Sequence, residues 1–412
     1  MLPSSSIEEI VRLEGGRVVA TLCRLTGDLG RAEDAVGEAV IEALRRWPVD
    51  GIPERPGAWL TTVARRKALD ALRRESTRTE RETASMALLE SEPALERNTI
   101  RDDQLRLIFT CCHPALNVES QVALALRVLC RLTTAEIARA FLVPEDTIGK
   151  RISRAKAKII ANRIPYRVPP DEELPARLAA VLAVVSVVFT TGHHAPEGVD
   201  LVRIDLADEA IRRALLVAEL MPDEPECLGL LALLESTHAR RHTRLGDDGL
   251  PVLLADADRS HWDREAIDRA VIMVERALRL GRPGPYQLQA AISCLHGVAS
   301  DVDSTDWPQI VALYGLLEER QPSLPVRTNR AVAVAQVDGL AVGVELLDDI
   351  ARSDPAAAGW HLFHTARADL LRRLGEFEAS ADAYRAALAC PHNDVDDAFL
   401  RMRLAEVSRQ PS

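Results

Sequence analysis

Two clusters of basic side chains carry the clearest chemistry in this sequence. The stretch from Lys150 to Arg163 contains six basic residues and no acidic one, and a second basic cluster runs from Ala64 to Arg78. Ammonium and guanidinium groups at this density bind phosphate, and arginine can also form paired hydrogen bonds with guanine. Both clusters therefore predict contacts with nucleic acid, although a solvated helix face has the same composition.

The residues around the first cluster predict two helices joined by a turn. Thr133 and Glu136 form a capping box, which predicts a helix that starts at Thr134. Pro144 suits the first turn of a second helix. The apolar stripe that this second helix is expected to bury consists of Ile148, Ile152, Ala155 and Ile159. This is the helix-turn-helix plan, whose second helix lies in the major groove of DNA, and a helical hairpin in an all-α bundle is the alternative.

The residues upstream predict two more helices around a loop at Val49–Gly57. The apolar face of the first, Asp28–Pro48, is expected to bury Ala35, Val36, Ala39, Val40, Ala43 and Leu44. The expected buried residues of the second are Leu60, Val63, Ala64, Leu69 and Leu72. Trp59 precedes the basic cluster of this second helix, where it could stack on an unpaired base or belong to the core.

Composition and charge divide the chain into a basic first part and an acidic second part. The 412 residues are 47 % apolar and only 4 % aromatic, which favours helix over strand. Residues 1–165 carry 26 Lys and Arg against 23 Asp and Glu, whereas residues 166–412 carry 25 against 39. Pro-rich residues 166–175 separate the parts, and polar residues 77–100 interrupt the first. We therefore predict an all-α fold with linkers at 77–100 and 166–175.

The number of cysteines and the hydropathy of the chain indicate the cellular compartment in which the protein is expected to lie. The seven cysteines are scattered and odd in number, which is typical of a protein in the reducing cytoplasm. Adjacent Cys111, Cys112 and His113 lack the spacing of a zinc site, so we expect buried thiols there, without a metal or other cofactor. The longest apolar run, Leu178–Phe189, is too short to span a bilayer. We expect a cytoplasmic protein that makes no membrane contact.

Taken in order, these blocks resemble a bacterial RNA polymerase sigma factor of the sigma-70 family, extracytoplasmic function (ECF) type. RAEDAVGEAVIEALRRW resembles region 2.2, which docks on the polymerase clamp helices, and PGAWLTTVARRKALDALRR resembles regions 2.3 and 2.4, which melt and read the −10 element. LTTAEIARAFLVPEDTIGKRISRAKAKI resembles region 4.2, which reads the −35 element. The resemblance implies a region 2 domain at 1–76 and a region 4 domain at 101–165. The implied partners are the polymerase core, through its β and β′ subunits, and promoter DNA.

The resemblance also implies which side chains make these contacts. The residues expected to face polymerase are Glu33, Asp34 and Glu38. Those assigned to the −10 element are Trp59, Thr62, Arg65, Arg66, Arg73 and Arg74. Those assigned to the −35 element are Thr147, Lys150, Arg151, Ser153, Arg154, Lys156 and Lys158. The loop Val49–Gly57 would accept an extruded base. One departure from the family is Gly37, because members usually have Gln before the glutamate of region 2.2.

The acidic second part resembles the C-terminal extension of one ECF group, a helical domain (here 176–282) followed by tetratricopeptide-like repeats (283–408). The repeats are visible in the sequence, at an offset of 33, as two sets of residues: Trp307, Ile310, Tyr314, Leu317 and Pro322, then Leu340, Gly343, Leu347, Ile350 and Pro355. A third copy contains Phe377, Ser380, Tyr384 and Ala387. A period near 34 is typical of tetratricopeptide repeats, whose concave surfaces bind peptides or protein segments.

The least repeat-like part of the extension is Arg240–Asp263, which is dense in Asp and Arg. Such a stretch could form a ligand or metal site, or a hydrogen-bonded loop that fixes one domain against another. The residues concerned are Asp256, Asp258, Arg259 and Trp262. A second departure from the family lies at Thr190–His193, where the extension commonly reads Asn-Glu-Gly-Tyr.

The predicted function is that of a sigma factor, which binds core polymerase and directs promoter recognition and transcription initiation. Its extension would modulate this activity, either by masking the basic helices or by joining the surface that binds DNA and polymerase. The alternative is a helix-turn-helix activator with a repeat-type sensor domain, although an activator has no need of region 2-like helices. The sequence contains no nucleophile–base pair, phosphate loop or metal-spaced ligand set, so an enzyme is not expected.

Overall fold

Helices joined by short turns make up most of the structure, a computed structural model that describes residues 4–75, 97–140, 143–170, 172–193, 201–246, 249–392 and 394–409. In these residues β structure is limited to an isolated bridge between Leu245 and Pro251. The predicted all-α fold is confirmed. The chain divides into two units, the first Met1–Gly192 with Asp208–Arg213 and the second His193–Ala207 with Ala214–Ser412.

The first unit is built from helices that pack in sequence order. They are α1 (Ser4–Thr26), α2 (Leu29–Asp50), α3 (Pro56–Glu75), α4 (Arg97–Cys111), α5 (Val118–Val128), α6 (Thr134–Ala140), α7 (Glu145–Ala161) and α8 (Leu174–His193). Helices α1, α2 and α3 pack against one another, and so do α5, α6 and α7. Helix α4 contacts both groups, because it packs on α1 and on α5.

Helix α2 is longer than its sequence pattern predicts. The Asp28 carboxylate caps its first turn by accepting a hydrogen bond from the Arg31 amide at 3.0 Å. Pro48 lies inside its last turns, and the helix ends only at Asp50. The connection to α3 therefore consists of residues 51–55 and is shorter than the predicted loop.

The buried face of α2 repeats every three or four residues and consists of Ala32, Glu33, Ala35, Val36, Ala39, Ala43 and Trp47. Leu44 was predicted to belong to this face, but it is 47 % exposed. That prediction is wrong because Leu44 follows the buried Ala43 directly, and one residue turns the helix by about 100°. The apolar side chain is therefore left on the outer surface of α2.

The helix-turn-helix predictions are confirmed in detail. The Thr133 amide donates to Glu136 Oε2 at 2.6 Å, and the Glu136 amide donates to Thr133 Oγ1 at 3.1 Å, which completes the capping box. Helix α6 starts at Thr134 as expected. Pro144 immediately precedes α7, whose buried residues are Ile148, Ile152, Ala155 and Ile159.

Helix α8 belongs to the first unit, although the sequence placed a domain boundary just before it. Arg177 on this helix is buried and donates through Nη2 to the Phe109 carbonyl oxygen at 2.6 Å. Residues 208–213 join the same unit, where Arg213 Nη2 donates to the Leu129 carbonyl oxygen at 2.9 Å. These bonds tie the start of the extension to α4 and to the turn after α5.

The second unit continues as a chain of helices of similar length. They are α9 (Leu201–Leu220, shared with the first unit), α10 (Pro225–His238), α11 (Arg264–Arg279), α12 (Pro285–Val298), α13 (Trp307–Arg320), α14 (Leu324–Val337), α15 (Leu340–Ser353), α16 (His361–Leu374), α17 (Phe377–Ala389) and α18 (Asp394–Val407). From α10 onward each helix packs on the next. No helix in the described part of the chain is long and apolar enough to cross a membrane.

The repeated sequence positions coincide with repeated structural positions. Trp307, Leu340 and Phe377 each begin a helix, namely α13, α15 and α17. The recurring positions that follow are buried, and they are Ile310, Leu317, Gly343, Leu347, Ile350, Ser380, Tyr384 and Ala387. Gly343 permits the close packing of α14 on α15, since a Cβ atom there would lie 2.5 Å from the Ala335 Cβ atom.

Candidate nucleic-acid interface

The outer surface of α7 presents most of the residues predicted to contact the −35 element. Fully exposed are Lys150, Ser153, Arg154 and Lys158, and partly exposed are Thr147, Arg151 and Lys156. Arg151 Nη2 forms an ion pair with Glu119 Oε2 of α5 at 2.8 Å. The buried apolar stripe lies opposite these side chains, so α7 offers solvent a face that is rich in cations and free of acids after its first turn.

Lys156 is the exception, because its ammonium group contacts an acid of α2. Its Nζ atom lies 2.7 Å from Glu33 Oε2. Arg127 Nε and Arg131 Nη1 lie 3.7 and 3.9 Å from Glu33 Oε1. Glu33 is only 7 % exposed. One buried carboxylate of α2 thus faces three cations from α5, the turn after it, and α7.

The backbone of α1 allows the two groups of helices to approach this closely. A Cβ atom on Gly16 would lie 2.5 Å from the carbonyl oxygen of Leu129, and one on Gly15 would lie 2.9 Å from Arg131 Cγ. Arg131 itself adopts a left-handed conformation with φ 57°. Glycine at both positions therefore makes room for the turn that carries Arg131.

Three further contacts join α1 to α4, to α6 and to the segment after α7. Arg12 Nη2 lies 2.6 Å from Glu136 Oε1, so the capping carboxylate of α6 also pairs with α1. Arg24 Nε donates to the fully buried Asp103 at 2.8 Å. The Tyr166 hydroxyl lies 2.7 Å from the Ala20 carbonyl oxygen and 2.8 Å from that of Asp103.

Burial shifts the pKa values of the ionisable groups around these contacts. Desolvation lowers the pKa of Arg131, although Glu33 opposes that shift. Burial raises the pKa of Tyr166 well above its ordinary value, so its hydroxyl remains a donor. Burial likewise raises the pKa of Cys112 to about 12, which keeps this thiol protonated. No group of three or more His, Cys, Asp or Glu in the described residues is placed to hold a metal ion.

The residues predicted to contact the −10 element lie along α3. Trp59 is half-buried and packs edge-on against buried Trp47, with ring centroids 5.3 Å apart. Thr62 is exposed, and its hydroxyl donates to the Ala58 carbonyl of its own helix. Arg66 and Arg73 are exposed and Arg65 is partly exposed. The Arg74 side chain lies outside the described residues.

The outer face of α2 carries the other two residues that were predicted to face polymerase. Asp34 and Glu38 are exposed, and Glu38 Oε2 lies 3.3 Å from Lys67 Nζ of α3. Next to them are two exposed apolar side chains that sequence reasoning missed, Ile41 at 51 % and Leu44 at 47 %. Their spacing of three residues puts them on one side of the helix, where they form an apolar patch beside the acids.

The Asp- and Arg-rich stretch of the second unit, Arg240–Asp263, contains aspartates that cap turns and an arginine that is buried. Asp258 accepts hydrogen bonds from the amide and hydroxyl of Ser260, at 2.9 and 2.7 Å, and so caps a short 3-10 helix. Arg259 and Trp262 are buried, with the guanidinium carbon 5.0 Å from the ring centroid. Asp256 is exposed and lines an open apolar groove of about 410 Å³ together with Phe399 and Met402 of α18.

Comparison with known families accounts for the helices of the first unit. Residues 10–78 match sigma-70 region 2, and residues 106–159 match sigma-70 region 4. SigI of Mycobacterium tuberculosis, a probable ECF RNA polymerase sigma factor, is 32 % identical over 155 residues, which are 36 % of this chain and 52 % of SigI. The chain belongs to the sigma-70 family of RNA polymerase sigma factors, ECF type.

The extension also has relatives. Residues 177–278 match a family of unknown function, DUF6596. An uncharacterized protein of Rhizobium meliloti (strain 1021) is 40 % identical over 402 residues, which are 96 % of this chain and 94 % of that protein. Placed on the sigma-70 regions, Glu33 belongs to region 2 and Lys156 to region 4, so their ion pair joins the two regions of this sigma factor.

We expect the substitution Glu33→Gln to weaken the contact between the two regions by about 2 kcal/mol, because it leaves three neighbouring cations without their acid. Amide hydrogen exchange should then become about 30-fold faster in α1 and α7. Glu38→Gln removes an exposed acid of the same helix and should change exchange by less than about five-fold. Equal effects of the two substitutions would show that Glu33 does not hold the regions together.

Proposed function

We propose that this sigma factor binds core RNA polymerase through region 2 and reads promoters with both regions. The observation that carries the proposal is the exposed, acid-free cationic face of α7, which follows a complete capping box in a chain that matches region 2 and region 4. Lys150, Arg154 and their neighbours would meet the −35 element, and the arginines of α3 would hold the strands near −10. A helix-turn-helix activator would not need the region 2 match.

Reconstituted transcription tests this role. Core polymerase plus this protein should initiate at defined start sites, and Arg154→Ala should lower both the transcript yield and the salt dependence of DNA binding, the latter by a slope of about 1. Arg279→Ala removes an equally exposed cation from the second unit and should change neither. Absence of any transcript with the unmodified protein would reject the sigma role and leave the activator.

The apolar patch of α2 is proposed as the contact with core polymerase, through the β′ and β subunits that the family resemblance implies. Exposed Ile41 and Leu44 beside Asp34 and Glu38 combine an apolar centre with an acidic rim, the composition that protein interfaces favour. The loop at residues 51–55 follows directly and lies near Trp59, so the same surface leads toward the proposed −10 contacts.

We expect Ile41→Asp to reduce the affinity for core polymerase by at least about ten-fold, because it puts a charge into the centre of the proposed contact. Ile272→Asp alters a similarly exposed isoleucine of α11 and should leave that affinity unchanged. The readout is a titration of labelled core polymerase. An unchanged affinity for Ile41→Asp would place the polymerase contact elsewhere on the chain.

We further propose that the extension modulates activity by stabilising the closed contact between the two regions. Arg177 and Arg213 come from the extension, and they bond to carbonyl oxygens at α4 and at the turn before Arg131. Arg131 lies 3.9 Å from Glu33 Oε1, and Glu33 also pairs with Lys156. When the two regions are held in this way, fewer of the basic side chains of region 4 are available to bind DNA. The tetratricopeptide-like helices would then bind a protein or peptide that changes this balance.

Replacing Arg213 tests whether the extension inhibits transcription or is required for it. Arg213→Ala removes a buried, charge-assisted hydrogen bond to Leu129, so the open state should become about ten-fold more populated and transcription should rise. Arg212→Ala is the matched control, because Arg212 pairs with the same Glu209 but is exposed. A fall in transcription would mean that the extension is a required part of the complex, and no change would reject both roles.

A further inference from the structure

Arg240 is a cation of the second unit that pairs with no acid in the part of the chain that the structure describes. It follows α10, and its Nη2 atom donates to Ser293 Oγ of α12 at 3.2 Å. Its guanidinium carbon lies 5.7 Å from the Trp262 ring centroid. Among the described residues no carboxylate is paired with it, although most arginines of this unit have one. A single neutral hydroxyl therefore satisfies only one of its five N–H groups.

The surroundings of Arg240 make this shortage of negative charge more severe. Arg244 and Arg259 are its charged neighbours, and with burial they lower the pKa of Arg240 to about 10. Each of these neighbours has an acid nearby, Asp396 for Arg244 and Asp301 for Arg259. With Arg264, whose guanidinium carbon lies 6.0 Å from the Trp262 ring centroid, four guanidinium groups share this region with those two acids, and neither acid pairs with Arg240.

The other groups that face Arg240 are neutral hydrogen-bonding groups. Burial and the neighbouring arginines lower the pKa of His296 to about 4, so this ring carries no charge at neutral pH. Burial raises the pKa of Cys294 to about 11 and keeps the thiol protonated. Burial raises the pKa of Tyr314 to about 12, so its phenol keeps its proton and can donate a hydrogen bond.

Two neighbouring arginines show what a purely structural arginine does in this part of the fold. Arg259 Nη1 donates to the carbonyl oxygens of His296 and Ala299 at 3.0 Å, and Arg264 Nη1 donates to that of Gly297 at 2.7 Å. Both guanidinium groups therefore cap the carboxyl end of α12, where the helix dipole favours a cation. The guanidinium group of Arg240 bonds to no carbonyl oxygen of the described residues, so capping does not explain its position.

We propose that Arg240, Ser293 and Tyr314 form a binding site for an oxyanion, a carboxylate or phosphate group that none of the described residues provides. A planar guanidinium beside hydroxyl donors is the arrangement that recognises both groups. Arg240 and Tyr314 are partly exposed and Asn329 is exposed, so the site is open to solvent. The proposal concerns the second unit alone and does not depend on the sigma role.

Thermal unfolding of the full chain tests the site, with the ionic strength held constant by sodium chloride. Inorganic phosphate, acetate and a hexaglutamate peptide are the three probes, and tryptophan fluorescence is the readout. Fluorescence follows all five tryptophans of the chain, so it reports global unfolding, and the Arg240 variant below supplies the local control. At least one probe should raise the Tm of the unmodified protein saturably. Stabilisation by phosphate alone identifies a free phosphate or phosphoryl group as the ligand, and stabilisation by the peptide identifies an acidic protein segment.

Arg240→Met is the decisive variant, because methionine keeps the packing on Trp262 and removes the charge. It should abolish the response to the probe and, in chloride alone, raise the Tm, since an unpaired and partly buried charge is lost. Ser293→Ala keeps the charge and should weaken binding by about ten-fold. Arg279→Met, an exposed control, should respond like the unmodified protein.

Two results would overturn the site. One is a response of Arg240→Met that equals that of the unmodified protein, and the other is a lack of any saturable response to all three probes. A lower Tm of Arg240→Met in chloride together with a retained response would identify Arg240 as a structural residue. Ser293→Ala keeps the proposal testable if Arg240→Met does not fold.

Discussion

The buried carboxylate of Glu33 is the interaction on which the arrangement of the first unit depends. Arg127, Arg131 and Lys156 approach it from three different segments of region 4, at 3.7, 3.9 and 2.7 Å. Without that acid, three cations would lie close together at a largely desolvated site, where their repulsion is little screened. The glycines of α1 serve the same contact, because any side chain at Gly16 would push the turn that carries Arg131 away.

The same contact sets a condition on DNA binding. Lys156 cannot neutralise a phosphate while its ammonium group lies 2.7 Å from Glu33. A ligand shifts an equilibrium only by the difference in its affinity for the two states. Lys156 therefore contributes only if promoter DNA binds the state without the Lys156–Glu33 ion pair tightly enough to offset the loss of that pair. Lys150, Arg154 and Lys158 are exposed and need no such rearrangement. The cationic face of α7 is thus available in part before the regions separate.

Sequence reasoning predicted the local features of region 4 and missed the contact between regions. The capping box and the stripe of Ile148, Ile152, Ala155 and Ile159 follow from spacings of three and four residues, which the chain encodes locally. Glu33 looked like a surface acid, because its partners lie far away in the sequence and no periodicity connects them. The prediction that Leu44 is buried was wrong for a related reason. The sequence does not distinguish an apolar residue next to a buried stripe from a core residue, because it does not show which surface packs against the helix.

The two units differ in how their clustered cations are neutralised. In the first unit a buried acid contacts three cations, whereas in the second Arg240 is paired with no described acid. Region 2 and region 4 together carry slightly more basic than acidic residues, and one of those acids is buried where three cations meet. The remainder of the chain has 39 acidic residues against 25 basic ones, so acids are plentiful, yet none that the structure describes is paired with Arg240. Scarcity of carboxylates therefore does not explain a guanidinium that pairs with none of the described acids. The proposed external anion would neutralise this partly buried charge.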